Sequence, residues 1–401
     1  MKGKRTVFIV AIVVPLLTGC WSRTEVNDVA IVLGIALDKG GNGKIRLALQ
    51  IAIPKALGGA VSAGQSTGGP KSTMMISSEG ETIMEAYRTI QGKLPREVFF
   101  AHSRVIIVGQ KLARDGVSPI LDFFSRNRQA HLRSFLLFTK GNAIDVLKTT
   151  PQLESVIAEQ IREQEKIGIA LQVRVREFLK RLLTEGEEPT AAQISPLPLE
   201  TTSENEAEGS TASQSTPSLN GTAVFQNDRL IGWLNAKETR GVLWIRNEVE
   251  SGILTVTIPT ENEGGKVGVQ LIKGSTKIKP IFYNNKVKIR IEIYGAVEVF
   301  ENTSTLDLGE PKAINILQSV LEQDIKKRIR LTLDQTQKKL KSDIYGFGQA
   351  VYRKDPQKWE NTYKKRWLET FPDLEIEITP HITVSGTGFS TKSLSLPDMK
   401  K

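Results

Sequence analysis

Hydrophobic positions change their spacing several times along this chain, and each change marks a different element. Thr6 to Leu17 is almost wholly apolar and follows the cations Lys2, Lys4 and Arg5. At ~1.5 Å per residue the run makes roughly 18 Å of helix, well short of a ~30 Å hydrocarbon core. That length fits the apolar region of an export signal rather than a membrane span. Ala30 to Leu37 is a continuous apolar strand signal ending in the turn Asp38-Lys39-Gly40-Gly41-Asn42-Gly43. Lys44 to Ile53 then alternates, with Ile45, Leu47, Leu49, Ile51 and Ile53 on one face, and the pair predicts a hairpin. A Gly/Ser-rich loop, Gly58 to Gly69, precedes a strand at Thr73 to Ser77. Ser78 with Glu81 predicts a capping box for a helix carrying Ile83, Tyr87, Ile90 and Leu94. Further strands are expected at Arg104 to Val108 and Arg133 to Phe138, with helices at Val117 to Ser125 and around Val175, Phe178, Leu179 and Leu182.

Beyond residue 218 the pattern turns β-rich. Gly221 to Phe225 and Arg229 to Trp233 are short strands joined through Asn227-Asp228, and Asn235 is placed to cap a following helix. Gly252 to Ile258, Lys266 to Lys279 and Val287 to Phe300 predict an antiparallel sheet. A long helix follows Pro311, with Ile314, Leu317, Leu321, Ile325 and Ile329 stepping by three or four and Lys326, Lys327, Arg328 and Arg330 on its other faces. Leu374 to Val384 alternates again and closes the sheet. The fold class is α+β: mixed or antiparallel sheets flanked by helices, in two main segments after a cleaved leader.

The division between the segments comes from composition. Thr201 to Thr216 is small, polar and free of aromatic residues, too poor in apolar surface to offset the entropy of ordering it. The expected organisation is a signal peptide over 1–19, an N-terminal α/β domain over 20–199, a flexible linker over 200–218 and a C-terminal α+β domain over 219–392.

Chemistry concentrates at one place. Leu17-Thr18-Gly19-Cys20 closes the apolar run, and Cys20 is the only cysteine among 401 residues. Leucine, two small residues and cysteine resemble a bacterial lipobox, in which the thiol becomes a diacylglyceryl thioether and the peptidase cuts between Gly19 and Cys20. One cysteine excludes an internal disulfide framework. Loss of the leader takes the formal charge from +10 to +7 by removing Lys2, Lys4 and Arg5. A basic chain on a lipid tether is drawn to anionic headgroups. Export and the lack of any zinc-finger, ribonucleoprotein or KH signature argue against nucleic acid as a partner.

Other chemistries lack their parts. His102, His131 and His381 are far apart and share no ligand spacing, so no metal site and no cofactor are expected. There is no Gly-x-Ser-x-Gly elbow, which leaves an envelope hydrolase without a nucleophile. In Gly64-Gln65-Ser66-Thr67-Gly68-Gly69-Pro70-Lys71-Ser72, Pro70 removes an N–H where a phosphate loop needs one. Gly346-Phe347-Gly348 lacks the third glycine of a dinucleotide fingerprint and reads as a helix break. The aromatics Tyr352, Trp359, Tyr363, Trp367 and Phe371 read as core packing.

The order of these pieces resembles the Ger(x)C lipoproteins, the C subunits of nutrient germinant receptors in endospore-forming bacteria. Cys20-Trp21-Ser22-Arg23-Thr24-Glu25-Val26-Asn27-Asp28 is similar to the family's mature start, with Ser22 where an acidic residue is common. Leu94 to Gly109, Leu121-Asp122-Phe123-Phe124, Thr222-Ala223-Val224-Phe225, Gly232-Trp233-Leu234, Gly241, Trp244, and Asp343 to Gly348 with Trp359, Trp367 and Phe371-Pro372 follow in family order. The resemblance implies a non-enzymatic subunit. It would be lipid-anchored on the outer face of the spore inner membrane and work with multi-pass A and B subunits. The alternative is a solute-binding lipoprotein that holds a nutrient in a cleft between two lobes and passes it to a transporter.

Overall fold

The computed structural model describes residues 28–53, 72–199 and 215–393, less positions 128, 251, 263, 285, 389 and 392, with Gly3 standing alone before them. Gly19, Cys20, the loop Gly58 to Gly69 and the stretch 200–214 lie outside the described residues.

Two sheets make the framework. The first has nine strands in the order β3-β2-β1-β5-β6-β7-β8-β9, with β4 paired to the start of β1. Its strands are β1 (Val29–Lys39), β2 (Ile45–Ala52), β3 (Thr73–Gly80), β4 (Glu97–Phe99), β5 (Val105–Gly109), β6 (Phe135–Thr139), β7 (Thr190–Pro198), β8 (Ser215–Gln226) and β9 (Arg229–Asn235). The central strands β1, β5 and β6 run parallel and in register, Gly34 facing Val105 and Val105 facing Phe135. Every residue of β5 and β6 is buried. That is why they read as continuous apolar runs: a parallel strand covered on both faces has no solvent side to alternate with.

Helices cover both faces. On one side pack α1 (Ile83–Gln91), α2 (Gln110–Asp115), α3 (Ser118–Arg126) and α6 (Val175–Leu182). On the other, α4 (Ala143–Leu147) and α5 (Ile157–Lys166) close a smaller core around Ala36, Val105, Ile107, Leu137 and Ile161. Phe138, Phe178 and Phe225 meet edge-on or tilted on the first side, with ring centroids 4.7 to 5.9 Å apart.

The second sheet has the order β10-β11-β12-β13, from β10 (Gly252–Thr257), β11 (Lys266–Tyr283), β12 (Lys286–Asn302) and β13 (Glu375–Gly386). β10, β11 and β12 are antiparallel as expected, but β13 joins β12 in parallel. The reason is the long helix α8 (Pro311–Leu333), which makes β12-α8-β13 a crossover and returns the chain to the end where β12 began. Leu317, Leu321, Ile325 and Ile329 are fully buried against this sheet, so the helical spacing identified the right face. Glu322 accepts from the Ile382 N–H at 2.9 Å and Gln318 from Val384 at 3.1 Å, tying α8 to the edge of β13 that β12 leaves free.

Two expectations change. The first helix is capped by Thr82, whose Oγ1 accepts from the Glu85 N–H at 3.2 Å, and not by Ser78. Ser78 faces Leu47 within the β2–β3 ladder, which continues to Gly80. The segment placed as a linker over 200–218 is in part strand: Ser215–Ser218 belong to β8 and pair with β7, Pro198 facing Ser215. The stretch 200–214 therefore joins two neighbouring antiparallel strands. β8 and β9, expected in the second segment, complete the first sheet, and one continuous core runs from Ala30 to Ile382.

α7 (Ala236–Ile245), which follows β9, packs against α8 across that core. Asn235 caps it in a reciprocal box with Glu238. A Cβ at Gly241 would lie 2.0 Å from Thr332 Oγ1 on α8. Gly241→Ala is expected to lower stability by about 1–3 kcal/mol, read as a lower urea midpoint.

Candidate functional site at the junction of the two sheets

The turn after α6 and the segment after α8 meet at a cluster of buried charges. At its centre is Asp343, 2% exposed. Its Oδ1 accepts from the N–H groups of Tyr345 (3.2 Å) and Phe347 (3.1 Å), and its Oδ2 from the Gly348 N–H (2.9 Å) and Trp367 Nε1 (2.9 Å). Four donors on one carboxylate fold the backbone into a tight loop. That loop turns through Gly346 at φ +73°, a conformation glycine adopts without strain, and opens α9 (Phe347–Lys354). Burial pushes the Asp343 carboxyl up to about 6 although all four donors oppose the shift.

The turn on the other side fits this loop closely. The Asp343 carbonyl accepts from the Glu188 N–H at 2.8 Å. Gly186, at φ +73°, lies so near Trp359 that a Cβ would sit 2.6 Å from its ring; a Cβ on Gly348 would meet the Gly186 backbone at 2.7 Å. Glu188 accepts from the Asn227 N–H at 2.6 Å, holding the β8–β9 turn, and burial pushes its carboxyl up to about 7. Arg181 on α6 binds both Glu187 and Glu248, the latter at 3.0 Å; Arg246 also reaches Glu248 (2.7 Å) and Thr190 (2.6 Å). A cleft of about 360 Å³ opens beside the cluster, with Glu185, Lys364, Lys365 and Leu368 at its mouth.

Chemically the cluster is a clamp. Glu187 is spent on Arg181, Glu188 on a backbone N–H and Asp343 on four donors, so none is aimed at the cleft as a free acid or base. Among the described residues no group of three or more His, Cys, Asp or Glu side chains could hold a metal ion. The three histidines are exposed and scattered; His381 stacks on Tyr294 with centroids 5.1 Å apart. Trp359, Tyr363, Trp367 and Phe371 are buried as core packing requires, whereas Tyr352 is 40% exposed. Gly346-Phe347-Gly348 is a helix start held by Asp343. Of the basic residues on α8, Arg328 pairs with Asp324, Arg330 donates to the Ile376 carbonyl at 2.7 Å, and Lys326 and Lys327 are exposed. Gly19 and Cys20 lie outside the described residues. The sequence reading missed Arg181, Glu187, Glu188, Arg246 and Glu248; the acidic run Glu185-Gly186-Glu187-Glu188 was the available signal.

The strands that flank 200–214 pair within one sheet, which gives no support to two lobes joined there. No helix of the described residues is long and apolar enough to cross a membrane.

Comparison with known proteins agrees with this architecture. Residues 22–196 match the family described as "Spore germination protein N-terminal domain" and residues 220–388 the family described as "Spore germination B3/ GerAC like, C-terminal". These matches part where the composition breaks, whereas the sheets part after β9. The chain is 34% identical over 380 residues to YfkR of Bacillus subtilis (strain 168), covering 95% of this chain and 96% of that one. It is 24% identical over 391 residues to spore germination protein KC of the same organism, covering 93% of each. The crystal structure of the GerBC protein superposes with a TM-score of 0.55 at 19% identity, over 88% of this chain and 97% of that chain, and so shares its fold. The chain belongs to the GerAC-like family of spore germination proteins, the C subunits of germinant receptors.

Proposed function

We propose that this chain is a lipid-anchored, non-enzymatic C subunit of a nutrient germinant receptor. It is cut after Gly19, acylated on Cys20 and held at the outer face of the spore inner membrane beside multi-pass A and B subunits. The observation that carries the reading is a single cysteine, at the end of a short apolar run, in a chain of this family. One acyl chain gives marginal residence and two give stable residence; at ~0.8 kcal/mol per buried CH₂ two long chains nominally exceed ~20 kcal/mol. Such an anchor confines the folded part near its partners and raises their effective concentration without a large interface.

Cys20→Ala tests it. The variant should leave the inner-membrane fraction of broken spores, and the response to nutrient should be lost or strongly delayed. The parent chain should co-purify with A and B subunits from detergent-solubilised spore membranes. Full membrane retention with a normal nutrient response in the variant would defeat the anchor.

A further inference from the structure

Where the tether enters the fold decides which surface meets the bilayer. Seven residues separate Cys20 from Asp28, the residue before β1, and eight fully extended Cα steps span at most ~28 Å. Because β1, β5 and β6 run parallel, the residues leading into them lie at one end of the nine-stranded sheet. β1 starts five residues ahead of the Gly34–Val105–Phe135 row, or ~16 Å, and β6 lies two strand spacings, ~10 Å, to the side. The whole end is thus within about the reach of the tether.

That end is a cationic rim. Arg104 precedes β5, and its N–H donates to the Leu33 carbonyl at 2.7 Å. Arg133 precedes β6. Arg174 and Arg176 follow alongside, the Val175 N–H donating to the Ser134 carbonyl and the Arg176 N–H to that of Leu132. Lys93 and Arg96 come from the turn that leads α1 into β4. Glu159 pairs with Arg104 and Glu177 with Arg176. Asp28 and Glu97 lie beside these cations, and Glu97 receives the Gln129 side chain at 3.4 Å. β7 runs parallel to β6, so Glu185, Glu187 and Glu188 lead into the same end; Glu185 pairs with Lys364, Glu187 with Arg181, and Glu188 accepts from the Asn227 N–H. Arg96, Arg133 and Arg174 pair with no carboxylate among the described residues; Arg174 lies 5.3 Å from the Phe135 ring centroid, and Arg133 and Arg174 are exposed. At the opposite end Lys39, Lys44 and Arg46 are matched by Asp115, Glu81 and Glu79, and Lys140 lies 5.7 Å from the Trp233 ring centroid.

We propose that this rim rests on the bilayer, with Arg96, Arg133 and Arg174 against anionic phospholipid headgroups, so that the tether and the rim together fix the orientation of the receptor subunit. The orientation rests on the Cys20 anchor; the affinity of the rim for lipid does not. Arginine suits the task, because its planar fork meets phosphate in two parallel hydrogen bonds.

The test uses the full mature chain carrying Cys20→Ser, which has no thioether, sedimented with vesicles of phosphatidylglycerol and phosphatidylcholine (3:7) or of phosphatidylcholine alone. Binding is expected to the anionic vesicles only and to vanish in 0.5 M salt. Each arginine removed should lower partitioning about fivefold, and Arg96→Gln/Arg133→Gln/Arg174→Gln together about 100-fold. Lys326→Gln/Lys327→Gln/Lys339→Gln, which removes the same charge from α8 and its π-helical continuation, should change it less than twofold. Equal losses in the two triple variants, or none in the first, would overturn the rim. In the acylated chain, a fluorophore on His102→Cys should be quenched by headgroup-labelled lipid and one on Lys326→Cys should not; the reverse would overturn the orientation. Mass spectrometry of the processed amino terminus reads the anchor by itself, so loss of the anchor and loss of the rim give different results.

Discussion

Asp343→Ala is expected to destabilise the fold by about 3–5 kcal/mol, the range for removing one partner of a buried charged network. Among the described residues its carboxylate is the one acceptor for the side chain of Trp367 and for the N–H groups of Tyr345, Phe347 and Gly348. Alanine leaves these donors inside a closely packed junction, where each unsatisfied group costs about 1–3 kcal/mol, less than additively because the loop can relax. Asp343→Asn should cost less, since Oδ1 can still accept, while the new NH₂ would face the Gly348 and Trp367 donors in place of an acceptor. The measurement is the urea midpoint of the three mature, unacylated chains. Trp367 fluorescence should also report the junction opening at lower urea than the loss of far-ultraviolet signal in the alanine variant. An alanine variant as stable as the parent would mean that the loop is held by Gly186, Gly348 and Trp359 packing alone.

The sequence made some of this architecture visible and hid the rest for identifiable reasons. β1 and β2 were legible because an apolar run, a Gly/Asn turn and a strict alternation follow one another; α8 was legible because Leu317, Leu321, Ile325 and Ile329 share one face. β7 was not, since Pro196 and Pro198 interrupt its pattern just before the polar stretch read as linker, although both prolines lie in paired strand. β4, with three residues, is too short to show a period. α5 was hidden by its composition: Ala158 to Lys166 carries seven charged or amide side chains and one isoleucine besides Ile157. The junction was hidden for another reason. Arg181, Glu187, Arg246, Glu248 and Asp343 come from four separate places, and only the crossing of the sheets brings them together. Asp343-Ile344-Tyr345-Gly346-Phe347-Gly348 was recognised as a motif, yet nothing in its spacing announces that one carboxylate organises it.

Glu165 carries the second large effect, and it acts through pH. It lies on the inner face of α5, 2% exposed, and among the described residues neither carboxylate oxygen has a hydrogen-bond partner. Burial alone pushes its pKa from 4.5 to about 8. A carboxyl whose pKa is raised on folding binds its proton more tightly in the folded state. The stability it confers is therefore complete below about pH 4.5 and lost as pH rises through about 8. Glu188 and Asp343, pushed up to about 7 and about 6, act in the same direction. The parent should thus lose stability steadily between pH 5 and pH 9. Glu165→Met replaces the acid by an apolar chain of similar length, facing a core lined by Ile157, Ala158 and Ile161. It should stabilise the protein by on the order of 2–4 kcal/mol at pH 9, below the full value of the shift because water entry relieves a buried charge. At pH 5 the parent already holds the proton, and the gain should fall to about 1 kcal/mol. Urea midpoints across this range decide the matter. Parallel pH profiles for parent and variant would show that Glu165 ionises in the folded state as freely as in the unfolded one, and that the slope belongs to the junction carboxyls instead.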